Sequence, residues 1–455
     1  MMKLTERPEK IILEILEKAG YEAYFAGGCV RECFSGETAG AGDIDIATNA
    51  LPEEVKKTFG GWKTVDTGIA HGTVTVIMPE DRGRAEITTY RSDGVYGDCR
   101  HPDKVEFIGS LKEDLRRRDF TMNAMAMDIR GRLEDPFGGR DDIKGKTVRA
   151  VGDAGERFRE DGLRIMRAVR FSSVLGFSLE EKTERAAFEN RKLLSRISAE
   201  RLFSEFRKTV TGKDAGKAVR KYTDIIGVFM PELEAMKGFD QRSRYHRYDV
   251  LEHCIRAMEA VETTEKNREY MKLAALLHDI GKPQTYCHED LGRGHFQGHG
   301  EKGGEMVKIL LRRMKVDAFT TERVSLLVRN HDLMFHRNER LIKELMRKFT
   351  PGILLEILAV KKADNIATGN ASGPLLEKFD EVGRMIEEIT AGGDCYSLDQ
   401  MALKGDDIKA IGVKEGPLVG RLLEELLEKV IDGELPNEKS SLTEAAQGLY
   451  KALKQ

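Results

Sequence analysis

The sequence predicts an α+β N-terminal part, a mixed sheet with helices, followed by an all-α remainder. Three observations carry this. Up to about residue 150, short β-like runs alternate with helical patterns and glycine turns. Beyond that point apolar residues recur at helical spacing, as in Leu163, Met166, Val169 and Phe171 to Val174, and strand runs do not return. Eight of the ten histidines fall between residues 246 and 336, which sets one helical segment apart chemically.

Composition bounds the function. The 455 residues are 40% hydrophobic and 33% charged with a formal net charge of −3, as in globular proteins and unlike fibres or disordered tails. The length implies more than one lobe. No stretch approaches the run of about 18 apolar residues that crosses a bilayer. The opening MMKLTERPEKIILEILEKAG carries glutamates through its apolar part and reads as an amphipathic helix, so a cytoplasmic protein is expected. Six cysteines (Cys29, Cys33, Cys99, Cys254, Cys287, Cys395) show no C-x-x-C pair, which favours reduced thiols over a disulfide framework or zinc ribbon. The near-zero net charge means that any polyanion must be met by local clusters of Lys and Arg.

In chain order, EAYFAGG, GTVTVIM, AEITTYR, KVEFIG and AMAMDI read as strands. The turn DPFGGRDDIKGK at 135–146 and the polar stretches at 238–249 and 389–399 are candidate boundaries. In GDIDIATN, Asp43 and Asp45 are one residue apart, so on a strand both carboxylates face one side, about 6 to 7 Å apart at Cα. Ile44 and Ile46 then face the core. Paired carboxylates suit Mg²⁺ and a two-metal displacement on a nucleoside triphosphate, although D-x-D alone is also common on surfaces. Gly27 and Gly28 after a strand let backbone N–H groups approach phosphates closely, with Arg31 one turn later. Glu86 is either a third carboxylate of this cluster or a solvent-facing strand residue.

The run LRRRDFTMNAMAMD sets Arg117, Asp119 and Asn123 beside the suspected metal strand, where guanidinium and amide groups suit phosphate and ribose. In RFREDGLRIMRAVRF, helical spacing puts Asp161, Arg164 and Arg167 on one side, with Arg170 following. The plain reading is a helix salt bridge. A sharper one uses hydrogen-bond inventory: a carboxylate accepts from an exocyclic amino group while a guanidinium donates to the neighbouring acceptor, which fits cytosine and adenine but not uracil or guanine.

The ordered set GGCVREC, DIDIAT, TTYRSDGVYGDCRHPDKVEF, DLRRRDFTMNAMAMD, DPFGGRDD, REDGLRIMRAVRF and ISAERLFSEF resembles the class II bacterial CCA-adding enzyme (tRNA nucleotidyltransferase) and poly(A) polymerase family. The resemblance covers roughly the first 210 residues. It implies a nucleotidyltransferase head at 1–150, a helical neck and body at 151–240 and a helical, tRNA-binding tail at 371–455. It assigns Mg²⁺ binding and catalysis to Asp43 and Asp45, with Glu86 beside them, and triphosphate contacts to Gly27, Gly28 and Arg31. Arg117, Asp119 and Asn123 would meet ribose and phosphates, and Asp161 and Arg164, flanked by Arg167 and Arg170, would select the base. Asp98 and Arg100 would lie in the flexible loop used when the family switches from C to A. The implied substrates are CTP, ATP and tRNA, with no role for DNA or a membrane. Close alternatives are a poly(A) polymerase or an enzyme adding only CC or only A.

The histidine-rich segment 241–370 resembles the HD metal-dependent phosphohydrolase superfamily. His253 lies in LEHCIRAM, His278 and Asp279 in LAALLHDIGKP, His299 in HFQGHGEKGG, His331 in LLVRNHD and Asp364 in VKKADNIA. The resemblance implies His253, His278, Asp279 and Asp364 as core ligands of a divalent Mn, Fe, Ni or Zn ion, or Mg²⁺, with His299 and His331 for a second ion. Two alternatives stay open: an HD fold retained without hydrolysis, and an HD phosphohydrolase whose N-terminal lobe only binds RNA.

Overall fold

The computed structural model describes residues 4–36, 44–81, 83–93, 105–242, 247–288, 294–370 and 372–453. Asp43, Asp98 and Arg100 lie outside the described residues. The chain divides into two units, Met1–Ala235 with Leu310–Val316, and Met236–Ile309 with Asp317–Gln455.

The first unit opens with α1 (Lys10–Lys18), an amphipathic helix that buries Ile12, Leu13 and Leu16. There follow β1 (Ala23–Ala26), α2 (Gly28–Ser35), β2 (Ile44–Thr48), α3 (Pro52–Thr58), β3 (Lys63–Gly68), β4 (Thr73–Ile77) and β5 (Arg84–Thr89). Next come β6 (Arg91–Asp93), β7 (Val105–Phe107), α4 (Leu111–Arg116), β8 (Ala126–Met127), β9 (Leu133–Glu134), α5 (Gly139–Lys144) and β10 (Thr147–Val148). Seven strands form one sheet in the order β3-β4-β5-β2-β1-β8-β9. It is mixed, as expected: β2 and β5 run parallel while β1 is antiparallel to both β2 and β8. The period of two decides which side chains meet. Ile44 and Ile46 are buried while Asp45 between them is exposed, and the parallel register sets Asp45 directly beside Glu86.

Two expectations for the strands needed adjustment. KTVDTG forms β3 without an apolar run, because antiparallel pairing with β4 supplies its hydrogen bonds. AMAMDI contributes only the two residues of β8.

Beyond residue 150 the unit is helical: α6 (Ala154–Glu160), α7 (Leu163–Leu175), α8 (Glu181–Glu189), α9 (Ala199–Val210), α10 (Ala215–Ile226) and α11 (Pro231–Met236). Strands nonetheless return as two-residue pieces, β11 (Ser178–Leu179) parallel to β10, and β12 (Cys287–His288) antiparallel to β13 (Gly294–His295). The single helix expected through Glu160, Asp161 and Arg164 is in fact two. Asp161 adopts an extended conformation at the end of α6, and its carboxylate accepts the Leu163 N–H at 3.0 Å, starting α7 afresh. Helix α7 buries most of its circumference, from Leu163 and Ile165 to Phe171 and Leu175.

The second unit carries α12 (Val250–Ala260), α13 (Arg268–Leu277), α14 (Lys282–Thr285), the start of α15 (His299–Arg313), α16 (Ala318–Asn330), α17 (Glu339–Lys348) and α18 (Pro351–Ala367). Asp249, Asp317 and Thr350 cap α12, α16 and α18 by accepting backbone N–H groups. The chain ends in α19 (Gly373–Gly392), α20 (Gly405–Ala410), α21 (Pro417–Ile431) and α22 (Lys439–Ala452). The glycine-punctuated tail packs Leu403, Ile408, Leu422, Leu426 and Leu442 into its own core. Cys29, Cys33, Cys254, Cys287 and Cys395 are free thiols. Among the described residues no helix is long and apolar enough to cross a membrane.

Candidate functional site

One cavity of about 1050 Å³ in the first unit gathers most of the residues singled out in the N-terminal half. Gly27, Gly28 and Arg31 enter it from the start of α2, Asp45 from β2, and Arg117, Asp119 and Asn123 from the segment after α4. Asp161, Arg164, Arg167 and Arg170 line it from the α6–α7 corner and α7. Glu86 adjoins Asp45 in register but is not among the lining residues. Ten lysine and arginine side chains face only four carboxylates in this lining. In a chain of net charge −3, that imbalance makes the cavity a local receptor for a polyanion.

Gly27 has φ +70, and a Cβ there would stand 3.0 Å from Arg118 Nη1 and 3.1 Å from Asp45 Oδ2. The glycine therefore lets a guanidinium, a carboxylate and the backbone close on one point. Deeper in, Arg31 Nη1 donates to Asn123 Oδ1 at 2.7 Å, Asn123 Nδ2 donates to Asp119 Oδ1 at 3.1 Å, and Arg167 Nε donates to Asp119 Oδ2 at 2.7 Å. Burial alone would raise the Asp119 carboxyl, but the Arg167 charge and the Asn123 and Arg167 hydrogen bonds win and hold it down to about 2. It is an ionised strut between Arg167 and Asn123.

Asp161 and Arg164 both line the cavity, but their side chains do not pair, and only the Arg164 backbone N–H donates to the Asp161 carbonyl at 3.0 Å. Asp161 Oδ2 contacts Arg201 Nη2 at 3.2 Å. Arg164 donates to Glu160 Oε2 at 2.6 Å and to the carbonyls of Arg157 and Arg117 at 3.1 and 3.0 Å. Three of the five guanidinium N–H groups are thus committed, which leaves two for another partner.

The second site brings all six HD candidates together. Asp279 Oδ2 lies 3.5 and 3.3 Å from the Nε2 atoms of His253 and His278, and its Oδ1 lies 3.4 and 3.6 Å from those of His299 and His331. Asp364 Oδ1 completes the first group at 3.0 Å from His253 Nε2 and 3.6 Å from His278 Nε2. Two sets of three donors, His253, His278 and Asp279, and Asp279, His299 and His331, each have the compactness to hold one metal ion. The tautomers agree with that chemistry. His278, His299 and His331 each place Nδ1 within 2.8 Å of the carbonyl three residues back, so Nδ1 carries a proton and Nε2 faces the cluster, where a bound metal ion would take its lone pair. The Nε2 atoms of His299 and His331 stand 3.1 Å apart, a contact that needs a proton or a metal ion between them.

The electrostatics point the same way. Burial opposes every charge here, yet Asp279 is held well below the usual carboxylate range by His278 and Lys282. Against its own burial, His278 is pulled well above the usual imidazole value by Asp279. His331, by contrast, is lowered, chiefly by burial. A cavity of about 500 Å³ opens onto Asp279, His299, His331 and Asp364 and is flanked by Lys282 and Lys361.

Sequence reasoning passed over Arg201, Lys208 and Lys213 and took Phe171 only for its helical spacing, yet all four line the first cavity, as does Arg118 of the arginine run. Arg201 stands inside ISAERLFSEF, so the motif marked the segment but not the side chain.

Comparison with known proteins identifies the families these segments match. Residues 23–149 match the Poly A polymerase head domain, 176–237 the Probable RNA and SrmB-binding site of polymerase A, and 244–369 the HD domain. The CCA-adding enzyme of Lactobacillus delbrueckii subsp. bulgaricus is 37% identical over 434 residues, covering 95% of each chain. That of Geobacillus stearothermophilus is 35% identical over 445 residues, covering 95% of this chain and 94% of its own. The crystal structure of Bacillus stearothermophilus CCA-adding enzyme in complex with CTP superposes with a TM-score of 0.71 at 30% identity, covering 100% of this chain and 99% of that one.

Proposed function

Because the chain belongs to the CCA-adding enzyme family, we propose that it adds C and A from CTP and ATP to the 3′ end of tRNA, without a nucleic-acid template. The observation that carries this is the cationic cavity lined by Asp45. Phosphoryl transfer to a hydroxyl is mostly positioning and charge stabilisation, and both are matters of where fixed groups stand.

Asp45 and Glu86, adjacent on one face of the sheet, suit a divalent ion, and Asp43 is proposed as the third carboxylate. Magnesium bound there would supply charge neutralisation at the reacting phosphate. In this reading Gly27 and Gly28 let the backbone close on the triphosphate, while Arg31 binds it. Arg117 and Asn123 hold phosphate and ribose, and Asp119 keeps Arg167 and Asn123 in place. Asp161 and Arg164 read the base edge, with the two uncommitted N–H groups of Arg164 as donors. Arg167 keeps the wall behind them positive, and Arg170 stands with Arg31 on the triphosphate side. Asp98 and Arg100 are proposed for the loop that accompanies the change from C to A.

The division into head (1–150), neck and body (151–240), HD domain (241–370) and tail (371–455) is part of the same reading, supported by where the matched families fall. The HD residues, with Asp279 common to both groups, are proposed to hold two divalent ions, Mn, Fe, Ni, Zn or Mg, which would supply the activation of water for hydrolysis of a phosphoester. A cytoplasmic location belongs to the proposal because tRNA and its nucleotides occur together there. The test is incubation of tRNA lacking its 3′ terminus with each labelled nucleotide singly and together. C followed by A supports the reading, long A tracts would move it to a poly(A) polymerase, and CC alone or A alone to a partial adder. Phosphoester hydrolysis with no incorporation would favour a phosphohydrolase with an RNA-binding lobe.

A further inference from the structure

The cavity contains one apolar side chain in an unusual setting. Phe171 lines it and is 6% exposed, and three guanidinium groups lie over its ring: Arg170 at 4.2 Å, Arg31 at 5.3 Å and Arg167 at 5.9 Å from the centroid. Like charges gathered around one point repel, and neighbouring carboxylates offset this unevenly. Arg167 is bound to Asp119, and Arg170 is ion-paired with Glu205 at 3.0 Å. Arg31 has Glu32 only at 3.6 Å, and its Nε is buried without a hydrogen-bond partner. The face of a phenyl ring carries negative potential, so it attracts all three cations without neutralising them. That distinction matters where the guanidinium groups must remain available to an anion.

The ring is itself fixed. It packs edge-to-face on Phe120 at 5.7 Å and 85°, and the Phe120 N–H donates to the Asp119 carboxylate at 2.8 Å. Arg31 arrives from α2 and Arg167 and Arg170 from α7, so the ring is where two elements bring their cations to one place. An aliphatic residue of similar size would fill the volume and offer the guanidinium groups nothing.

We propose that Phe171 is a positioning residue for nucleotide binding: its ring face holds the Arg31 and Arg170 guanidinium groups at the spacing that receives the triphosphate. The proposal rests on the nucleotidyl-transfer reading above. Because the guanidinium groups meet phosphates common to both substrates, the effect should be the same for CTP and ATP. It should also appear in binding rather than in the choice of base.

The test replaces Phe171 with mono-, di- and trifluorophenylalanine, which drain the ring face stepwise at nearly constant shape, and adds Phe171→Leu. The expected result is a stepwise rise in KM for CTP and for ATP, reaching roughly tenfold for the trifluoro ring and for Phe171→Leu. Along the fluorine series kcat stays within about twofold and the midpoint of thermal unfolding does not move. A flat KM across the series would overturn the proposal, and so would a fall in thermal stability that tracks the KM change. If the unsubstituted protein incorporates no nucleotide, the nucleotidyl-transfer reading itself fails. Normal incorporation with a flat series removes the proposal alone.

Discussion

Individual side chains carry the chemistry, and their environments make separable predictions. Asp45→Asn keeps the shape of an exposed strand residue but removes a charge proposed to bind metal. Nucleotide incorporation is expected to fall by about 10³-fold, the equivalent of several kcal/mol of charge stabilisation, with thermal stability unchanged. Steady-state incorporation and a melting curve check both halves. Asp119 is a structural case. Its carboxyl is lowered from 3.8 to about 2, so its contribution is present above about pH 4 and is lost as pH falls through about 2. Asp119→Asn is expected to cost about 2 kcal/mol at neutral pH. Measured by denaturant unfolding at a series of pH values, its deficit relative to the natural chain should shrink between pH 4 and 2. A deficit that persists at pH 2 would show that the charge is not its source.

Short elements and their junctions set those side chains in place. The β1–α2 junction turns at Gly27 with φ 70 and ψ −129, a conformation that costs a residue with a Cβ about 1 to 3 kcal/mol. The added methyl would also press on Arg118 and Asp45. Gly27→Ala is therefore expected to lower incorporation at least tenfold while destabilising the chain by that modest amount, which kinetics and thermal unfolding together would register. The α6–α7 junction shows where sequence reading stops. Helical periodicity across Glu160 to Arg170 was legible, and so was the residue set facing the cavity. The break at Asp161 was not, because a carboxylate capping Leu163 at 3.0 Å competes with the helix through geometry that periodicity does not encode. Strand β3 escaped for a related reason: KTVDTG has little apolar alternation of its own and is a strand because β4 pairs with it.

Across the whole chain, the mixed-sheet head and the helical remainder were legible from spacing, and the six HD residues from the resemblance of their segment to the HD superfamily. What was not legible is tertiary partnership. Nothing in RFREDGLRIMRAVRF indicates that the Asp161 carboxylate meets Arg201 rather than the Arg164 side chain, or that Arg31 joins Arg167 and Arg170 over the Phe171 ring, because Arg201 comes from α9 and Arg31 from α2. The two candidate sites lie in different units and share no residue, so their activities should separate. Asp279→Ala is expected to abolish metal-dependent phosphoester hydrolysis and leave nucleotide incorporation within about twofold. Asp45→Ala should do the reverse.

On the proposed reading, this chain extends tRNA by a fixed, base-selected sequence through the cavity containing Asp45, Asp161 and Arg164. The most direct measurement is sequencing of the products made from tRNA ending at the discriminator base with CTP and ATP present, by the natural chain and by Asp161→Ala. The account predicts termination at CCA for the natural chain and lost discrimination between C, A and U for the variant. Untemplated runs of A from the natural chain, or unchanged base choice in Asp161→Ala, would contradict it.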